Sequence, residues 1–311
     1  MKLAILFWFY KEPEICQNRL ELLRQFNPTA PIYGVYGGNP ATADRYKSKL
    51  DPYLDDFYTF PEEQDADWKW RQGDLILTHW YRERGKDLPF DTVVVVQWDM
   101  LVFGAIEQLF AMLKPDTILL SGLRSIAEIE DRWYWVTPKL PDLRHQYLEF
   151  LEHVSKVYNY QYEPIACIFI VACLPRIFLE RYAQIDRPEL GFVEYRIPIY
   201  AQIFGISICE HHPFNAWWKD VDPTYHTQDI TQKIINRFNL KFNPYSLHNT
   251  SDPKYSNISL IPIFRQLNKP NGDRIFHPCQ HMFPLQKHQW PEALIAEFTR
   301  DLDWMSRRIF S

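Results

Sequence analysis

Four consecutive valines, Val93 to Val96, constrain this chain more than any other stretch. β-Branched side chains favour strands, and an apolar run without polar alternation fits a strand buried on both faces, as inside a parallel sheet. The flanking sequence has the parts such a sheet needs. Leu3 to Phe9 reads as a strand. Pro13 opens a helix with Ile15, Leu20, Leu23 and Phe26 near helical spacing, Asn27-Pro28 ends it, and Ile32 to Tyr36 forms a second strand closed by Gly37-Gly38. This is a βαβ unit, the building block of parallel sheets. A short strand at Phe57–Phe60 and a helix from about Trp68 to Arg84 lead into the valines. Beyond them the pattern predicts a helix at Ile106–Leu113, a strand at Thr117–Ser121, an amphipathic helix over Pro141–Tyr158, a strand at Ala166–Ala172 and a helix at Arg176–Tyr182. Glu194 then precedes a short helix with Pro198 in its first turn and Gly205 at its end, and Ile206–Cys209 is a last strand. From Asn215 to about Gly272 one helix, Ile230–Phe238, interrupts long loops, and a C-terminal helix spans Pro291–Ile309. The expected fold is α/β: a mostly parallel central sheet flanked by helices, with a loop-rich C-terminal part, in one continuous domain.

Composition narrows the function. A chain of 311 residues with net charge −5 has no basic field for a polyanion, which argues against a nucleic-acid binder. The five cysteines are odd in number and have no close zinc spacing, so they read as free, buried thiols of a cytoplasmic protein. The apolar N-terminus has no small-residue cleavage site after it and reads as a strand, and Ile165–Leu174 is too short to span a bilayer. Aromatic residues make up 16% of the chain; they either stack on the flat faces of sugars or fill an aromatic core. Arg300, Arg307 and Arg308 leave the C-terminal helix two readings, a packed helix or one that touches a membrane surface or partner.

Right after the valines stand Gln97-Trp98-Asp99. Ligands of open α/β sheets bind outside the carboxyl ends of the strands, so Asp99 is either a ligand carboxylate or a residue capping the strand end. Three further groups carry chemistry. Phe276-His277-Pro278-Cys279-Gln280-His281 offers two histidines late in the chain. Glu194 is a lone acid at a helix start, where the macrodipole alone would favour it. Tyr10 and Glu12 follow the first strand, and Tyr36 and Gly37 the second, where an aromatic ring stacks on a base and glycine lets the backbone approach it. Arg71 and Asp74 are either phosphate or base contacts or an i, i+3 surface pair.

The order of these parts resembles the GT-A glycosyltransferases, the nucleotide-diphosphosugar transferases, over roughly Met1 to Leu285. The resemblance implies a GT-A-like, Rossmann-type sandwich. Residues 1–122 would form a nucleotide-binding half, 123–290 an acceptor-binding half and 291–311 the C-terminal helix. The Asp-x-Asp motif of that family falls on Gln97-Trp98-Asp99. Asp99 is then a ligand of Mn²⁺ or Mg²⁺, while Gln97 departs from the motif and offers a neutral oxygen or a hydrogen bond to ribose. His277 matches the family's late metal-binding histidine, with His281 as the alternative. Gln280 and Lys287 lie near the place of a phosphate-binding lysine. Glu194 matches the general base of inverting members, with Arg196 beside it. Tyr10, Glu12, Tyr36, Gly37, Arg71, Asp74, Gln97 and Trp98 would line the nucleotide. The implied activity moves a sugar from a UDP- or GDP-sugar to a hydroxyl, of a carbohydrate or another acceptor, with inversion. Two alternatives remain: a non-catalytic relative that binds nucleotide or glycan, and a sugar nucleotidyltransferase. The latter wants a Gly-rich basic loop after the first strand, which Phe9-Tyr10-Lys11-Glu12-Pro13 does not resemble. Gly-x-Gly-x-x-Gly, P-loop, Gly-x-Ser-x-Gly and His-Glu-x-x-His motifs are all absent.

Overall fold

The computed structural model describes residues 1–211, 213, 214, 216, 218, 258, 260–297 and 299. The strands are β1 (Leu3–Phe9), β2 (Ile32–Tyr36), β3 (Asp56–Thr59), β4 (Thr92–Gln97), β5 (Leu101–Val102), β6 (Thr117–Leu120), β7 (Arg124–Ser125), β8 (Ile165–Ala166), β9 (Ala172–Pro175), β10 (Ser207–Ile208) and β11 (Ile275–Phe276). The helices are α1 (Pro13–Phe26), α2 (Ala43–Leu50), α3 (Ala66–Glu83), α4 (Ile106–Leu109), α5 (Ile126–Ile129), α6 (Pro141–Tyr158), α7 (Arg176–Tyr182), α8 (Val193–Ile203) and α9 (Leu260–Leu267).

Seven strands form the central sheet in the order β10-β6-β9-β4-β1-β2-β3. All neighbouring pairs are parallel except the two that β9 makes with β4 and β6. The expected mostly parallel α/β sheet is the observed one. The valine strand lies inside it, and the pleat sends its residues to opposite faces. Val93 and Val95 pack with α3, α6, α7 and α8. Val94 and Val96 pack with α1 and α2. All four are at most 2% exposed, which is why no polar residue interrupts the run.

Because β9 runs against its neighbours, the loop that enters it, residues 167–171, sits at the carboxyl edge of β4 and β6. There Ala172 pairs with both Val95 and Leu120. The single strand expected at Ala166–Ala172 is thus two short ones, β8 and β9, with this loop between. The backbone of the loop bonds outside the sheet. Ser121 receives Ile168 N–H at 2.8 Å and donates to Val171 O at 3.0 Å. α4 ends at Leu109, four residues before the expected end, and α2 and α5 lie where no helix was expected.

A third apolar cluster docks the late part of the chain. Leu22 of α1, Leu101, Phe103, Leu260, Ile263, Phe264, Phe276, Cys279 and Phe283 form it. The ribbon of β5 and β11 pairs Leu101 with Phe276 and Val102 with Ile275. Thus α9 falls in a stretch read as loops. The expected helix Ile230–Phe238 lies outside the described residues. Residues 290–297 and 299 are helical, and the remainder of the expected Pro291–Ile309 helix lies outside the described residues. Among the described residues, no helix is long and apolar enough to cross a membrane.

Candidate functional site

β4 delivers Asp99 to the carboxyl edge, and the β5–β11 ribbon brings His277 across from it. The antiparallel register that pairs Phe276 with Leu101 continues past the strands, where Cys279 N–H donates to Asp99 O at 2.7 Å. Asp99 is 7% exposed. Its Oδ1 lies 3.4 Å from His277 Nε2 and, among the described residues, accepts no hydrogen bond. Its Oδ2 lies 3.5 Å from Gln280 Nε2, the outer limit of a hydrogen bond. Burial alone would raise the Asp99 carboxyl. The charge and proximity of His277, the backbone at Asp99 and the Gln280 amide outweigh burial and hold it below the usual carboxylate value.

A buried carboxylate oxygen without a hydrogen bond is a costly arrangement unless something else meets it. Two ligands of one hard cation, each about 2.1 Å from it, sit roughly 3–3.5 Å apart at octahedral to tetrahedral angles. The Asp99–His277 separation falls in that range. Among the described residues, no group of three or more His, Cys, Asp and Glu could hold a metal. Asp99 and His277 are thus the side chains that could hold such an ion at this edge.

Beside this pair, two lysines converge on aromatic rings. Lys11 Nζ lies 4.8 Å from the Trp98 ring and 5.6 Å from the Tyr10 ring, and Lys69 Nζ lies 5.5 Å from the Tyr10 ring. Tyr10 and Trp98 meet edge to face at 6.0 Å. Burial lowers the Lys69 ammonium, and burial followed by the charge of Asp99 raises the Tyr10 phenol. Neither lysine forms an ion pair among the described residues. Positive charge therefore gathers over the Tyr10 and Trp98 rings.

Gln97 and Glu194 meet on one peptide, that of Phe169. Gln97 Nε2 donates to Phe169 O at 2.8 Å, and Phe169 N–H donates to Glu194 Oε1 at 3.1 Å. A carboxylate in place of Gln97 has no proton for that carbonyl. Pro198 is not in the first turn of its helix but inside α8. It lacks the N–H that would bond the carbonyl four residues back, which belongs to Glu194. Cys167 N–H takes that carbonyl instead, at 2.8 Å. Glu194 therefore holds the 167–169 loop by its backbone and its carboxylate, and it lies in the first turn of α8 rather than before it.

The remaining predicted residues lie elsewhere or are engaged. Tyr36 is core: its ring is 4.4 Å from that of Tyr46 and its hydroxyl meets Thr42 Oγ1 at 2.7 Å. A Cβ on Gly37 would come within 2.8 Å of Ile76 Cδ1, so this glycine serves close packing under α3. Asp74 is 2% exposed and does not pair with Arg71; its carboxylate takes the Arg196 guanidinium at 2.5 and 3.0 Å and the Tyr182 hydroxyl. Burial works against the Arg196 charge, but Asp74 and Tyr182 outweigh it and raise its pKa. Arg196 thus pairs with Asp74, 0% exposed itself, within the core. Arg71 pairs with Asp67 at 3.7 Å, bonds Gln146 and lies over Trp135. Glu12 is exposed and left-handed, with φ 54°. His281 faces the Cys279 thiol, Nε2 to Sγ 3.7 Å, and Lys287 sits in an exposed turn. Sequence reasoning missed Phe169, Lys11, Lys69, Asn18 and Arg19. A two-residue ribbon and a loop backbone have no periodicity to read, and lone lysines have no motif.

No protein-family model matches the sequence, and no curated protein does. Solved structures similar to the chain include the galactosyltransferase LgtC, solved with donor and acceptor sugar analogues. It is 11% identical, covers 94% of this chain and 96% of its own, and has a TM-score of 0.41. A mannosyltransferase from Pyrobaculum calidifontis, solved with GDP-Man and Mn²⁺, is 12% identical. It covers 68% of this chain and 55% of its own, with a TM-score of 0.39. A cytidylyltransferase from Leptospira borgpetersenii is 11% identical and covers 76% of this chain and 88% of its own, with a TM-score of 0.37.

Proposed function

We propose that this chain is a glycosyltransferase that moves a sugar from a nucleoside diphosphate sugar to a hydroxyl acceptor. The observation that carries the reading is the Asp99–His277 pair, with the carboxylate oxygen buried and, among the described residues, without a hydrogen bond. Asp99 and His277 would hold Mn²⁺ or Mg²⁺ at the edge where open α/β sheets bind ligands. When bound, the ion would neutralise charge that grows on the leaving diphosphate. Tyr10 with Trp98 would form an aromatic wall, with the charges of Lys11 and Lys69 over its rings. Glu194 takes the proton of the acceptor hydroxyl as its oxygen attacks the anomeric carbon and the bond to the diphosphate breaks, which inverts that centre. The Phe169 N–H on Oε1 fixes the orientation of this carboxylate.

That same hydrogen bond favours one rival, a protein that binds nucleotide sugar and transfers nothing. Calorimetry of Mn²⁺ and UDP or GDP, followed by donor hydrolysis, separates the readings. The transferase reading expects metal-dependent nucleotide binding, at least tenfold weaker in Asp99→Ala and His277→Ala, and slow hydrolysis lost in Glu194→Gln. Binding without hydrolysis favours the rival. Binding indifferent to Asp99→Ala overturns the metal assignment.

A further inference from the structure

The segment that carries His277 and Gln280 has little regular structure of its own, since β11 is two residues long. Besides the apolar cluster and the Cys279–Asp99 backbone bond, the face of α1 holds it. Arg19 is 1% exposed, and among the described residues it has no carboxylate partner. Its Nη2 donates to Cys279 O at 2.8 Å and to His281 O at 2.6 Å, and it lies 3.5 Å from Cys279 Sγ. Its Nη1 donates to Asn18 Oδ1. Asn18, 3% exposed, makes a two-way pair with the backbone of Phe283: Nδ2 donates to Phe283 O and Phe283 N–H donates to Oδ1, both at 2.9 Å. Two adjacent side chains thus reach residues 279, 281 and 283, every second residue of the segment. Burying a guanidinium is costly, and its donors to carbonyls, with the nearby charge of Asp99, offset part of that. The planar fork suits the geometry because Nη2 meets the two carbonyls of the segment while Nη1 meets Asn18 Oδ1, whereas a lysine ammonium has a single nitrogen for all three.

We propose that Asn18 and Arg19 are positioning residues that hold the 277–283 segment in register with β5 and Asp99, and so set the separation of His277 from Asp99. The inference rests on the metal reading of that pair for its functional arm, and on α1 alone for its structural arm. Neither residue touches the ion or the substrate; both act through the backbone of the segment.

Hydrogen exchange and Mn²⁺ calorimetry on the full chain test it, in the wild type, Arg19→Met, Arg19→Lys and Asn18→Ala. Arg19→Met is expected to speed amide exchange at 279–283 at least tenfold while the amides of β1 and β4 keep their protection. It is also expected to weaken Mn²⁺ binding at least tenfold. Arg19→Lys keeps the charge without the fork and is expected to recover folding but not Mn²⁺ affinity. If Arg19→Met does not fold, Asn18→Ala carries both arms, with a smaller effect centred on Phe283. Unchanged exchange at 279–283 in a folded variant overturns the proposal. So does faster exchange with wild-type Mn²⁺ affinity, which is the signature of a merely structural contact. A wild-type chain that binds no Mn²⁺ overturns the metal reading instead, and the exchange arm then decides the clamp by itself.

Discussion

Gln97 and Asp99 stand at the end of the same strand with one residue between them and do different work. Asp99 keeps an oxygen without a hydrogen bond beside an imidazole, while Gln97 gives its amide proton to Phe169 O. The Gln97 amide N–H is used as a donor at that position, which makes it part of the frame around Glu194. Gln97→Glu keeps size and removes the proton, setting a carboxylate against a carbonyl oxygen. It is expected to cost about 1–3 kcal/mol, the usual penalty of an unmatched, part-buried polar group, read as a lower urea midpoint at unchanged slope. An equally stable Gln97→Glu would sink this account of the residue. Asp74 poses the opposite question. As a core partner of Arg196, its replacement by alanine leaves a buried guanidinium uncompensated and is expected to cost roughly 3–5 kcal/mol. Nucleotide affinity of the folded fraction should stay within twofold. A stable Asp74→Ala that has lost nucleotide binding would return Asp74 to the ligand site.

At the level of elements, the loop between β8 and β9 depends on a defect in α8. A helix normally consumes the carbonyl of Glu194 internally; Pro198 releases it, and Cys167 N–H takes it up. Pro198→Ala supplies an N–H that competes for this carbonyl. Proline inside a helix costs about 3 kcal/mol relative to alanine, so α8 should gain stability while the loop loses its anchor. The expected result is a thermal midpoint equal to or above the wild type, with faster exchange at the Cys167 amide. Slower exchange there would show that the proline does not hold the loop. Such devices mark the limit of what the sequence reveals. The valine run, the first βαβ unit, α6 and α7 were legible because burial writes itself as periodicity over many residues. The placement of Asp99 opposite His277 came from a resemblance in the order of motifs, and the structure brings the two together. Pairs such as Leu101 with Phe276 are too short to have a period. The apolar stripe of α9, Leu260, Ile263 and Phe264, was hidden in a stretch dominated by Asn, Pro and Tyr. Tyr36 looked like a ring to stack on a base because nothing in a sequence distinguishes a ring at a strand end that faces out from one that turns under α2.

For the whole molecule, the aromatic richness has a structural answer. Trp8, Trp80, Trp98, Trp133, Trp135 and Trp218 are each at most 6% exposed, and Trp135 stacks on Phe192 at 3.9 Å. The core that holds them also buries the thiols, and this sets how stability depends on pH. Burial raises the pKa values of Cys16, Cys167, Cys173 and Cys279, and the opposing charge of Arg19 on Cys16 and Cys279 does not reverse it. Tyr58, Tyr33 and Tyr81 are raised by burial as well, Tyr58 to about 12. A group whose folded pKa lies above its unfolded value binds more protons in the native state over the interval between the two. There stability falls as pH rises. The thiols have an unfolded value of 9.0, so their contribution is complete below pH 9 and is lost above it, with the tyrosines joining above pH 10. One pH unit above the unfolded value, each thiol that stays protonated only in the fold lowers stability by about 1.4 kcal/mol. The three most strongly raised, Cys16, Cys167 and Cys173, together approach the lower end of the stability of an ordinary protein, about 5–15 kcal/mol. The urea midpoint is therefore expected to hold between pH 7 and 8.5 and to fall steeply by pH 10, with the thiols resisting iodoacetamide at pH 8 until the chain unfolds. A midpoint that stays level to pH 10, or thiols alkylated in the native state at pH 8, would show that the core is more open than the packing of its tryptophans and cysteines implies.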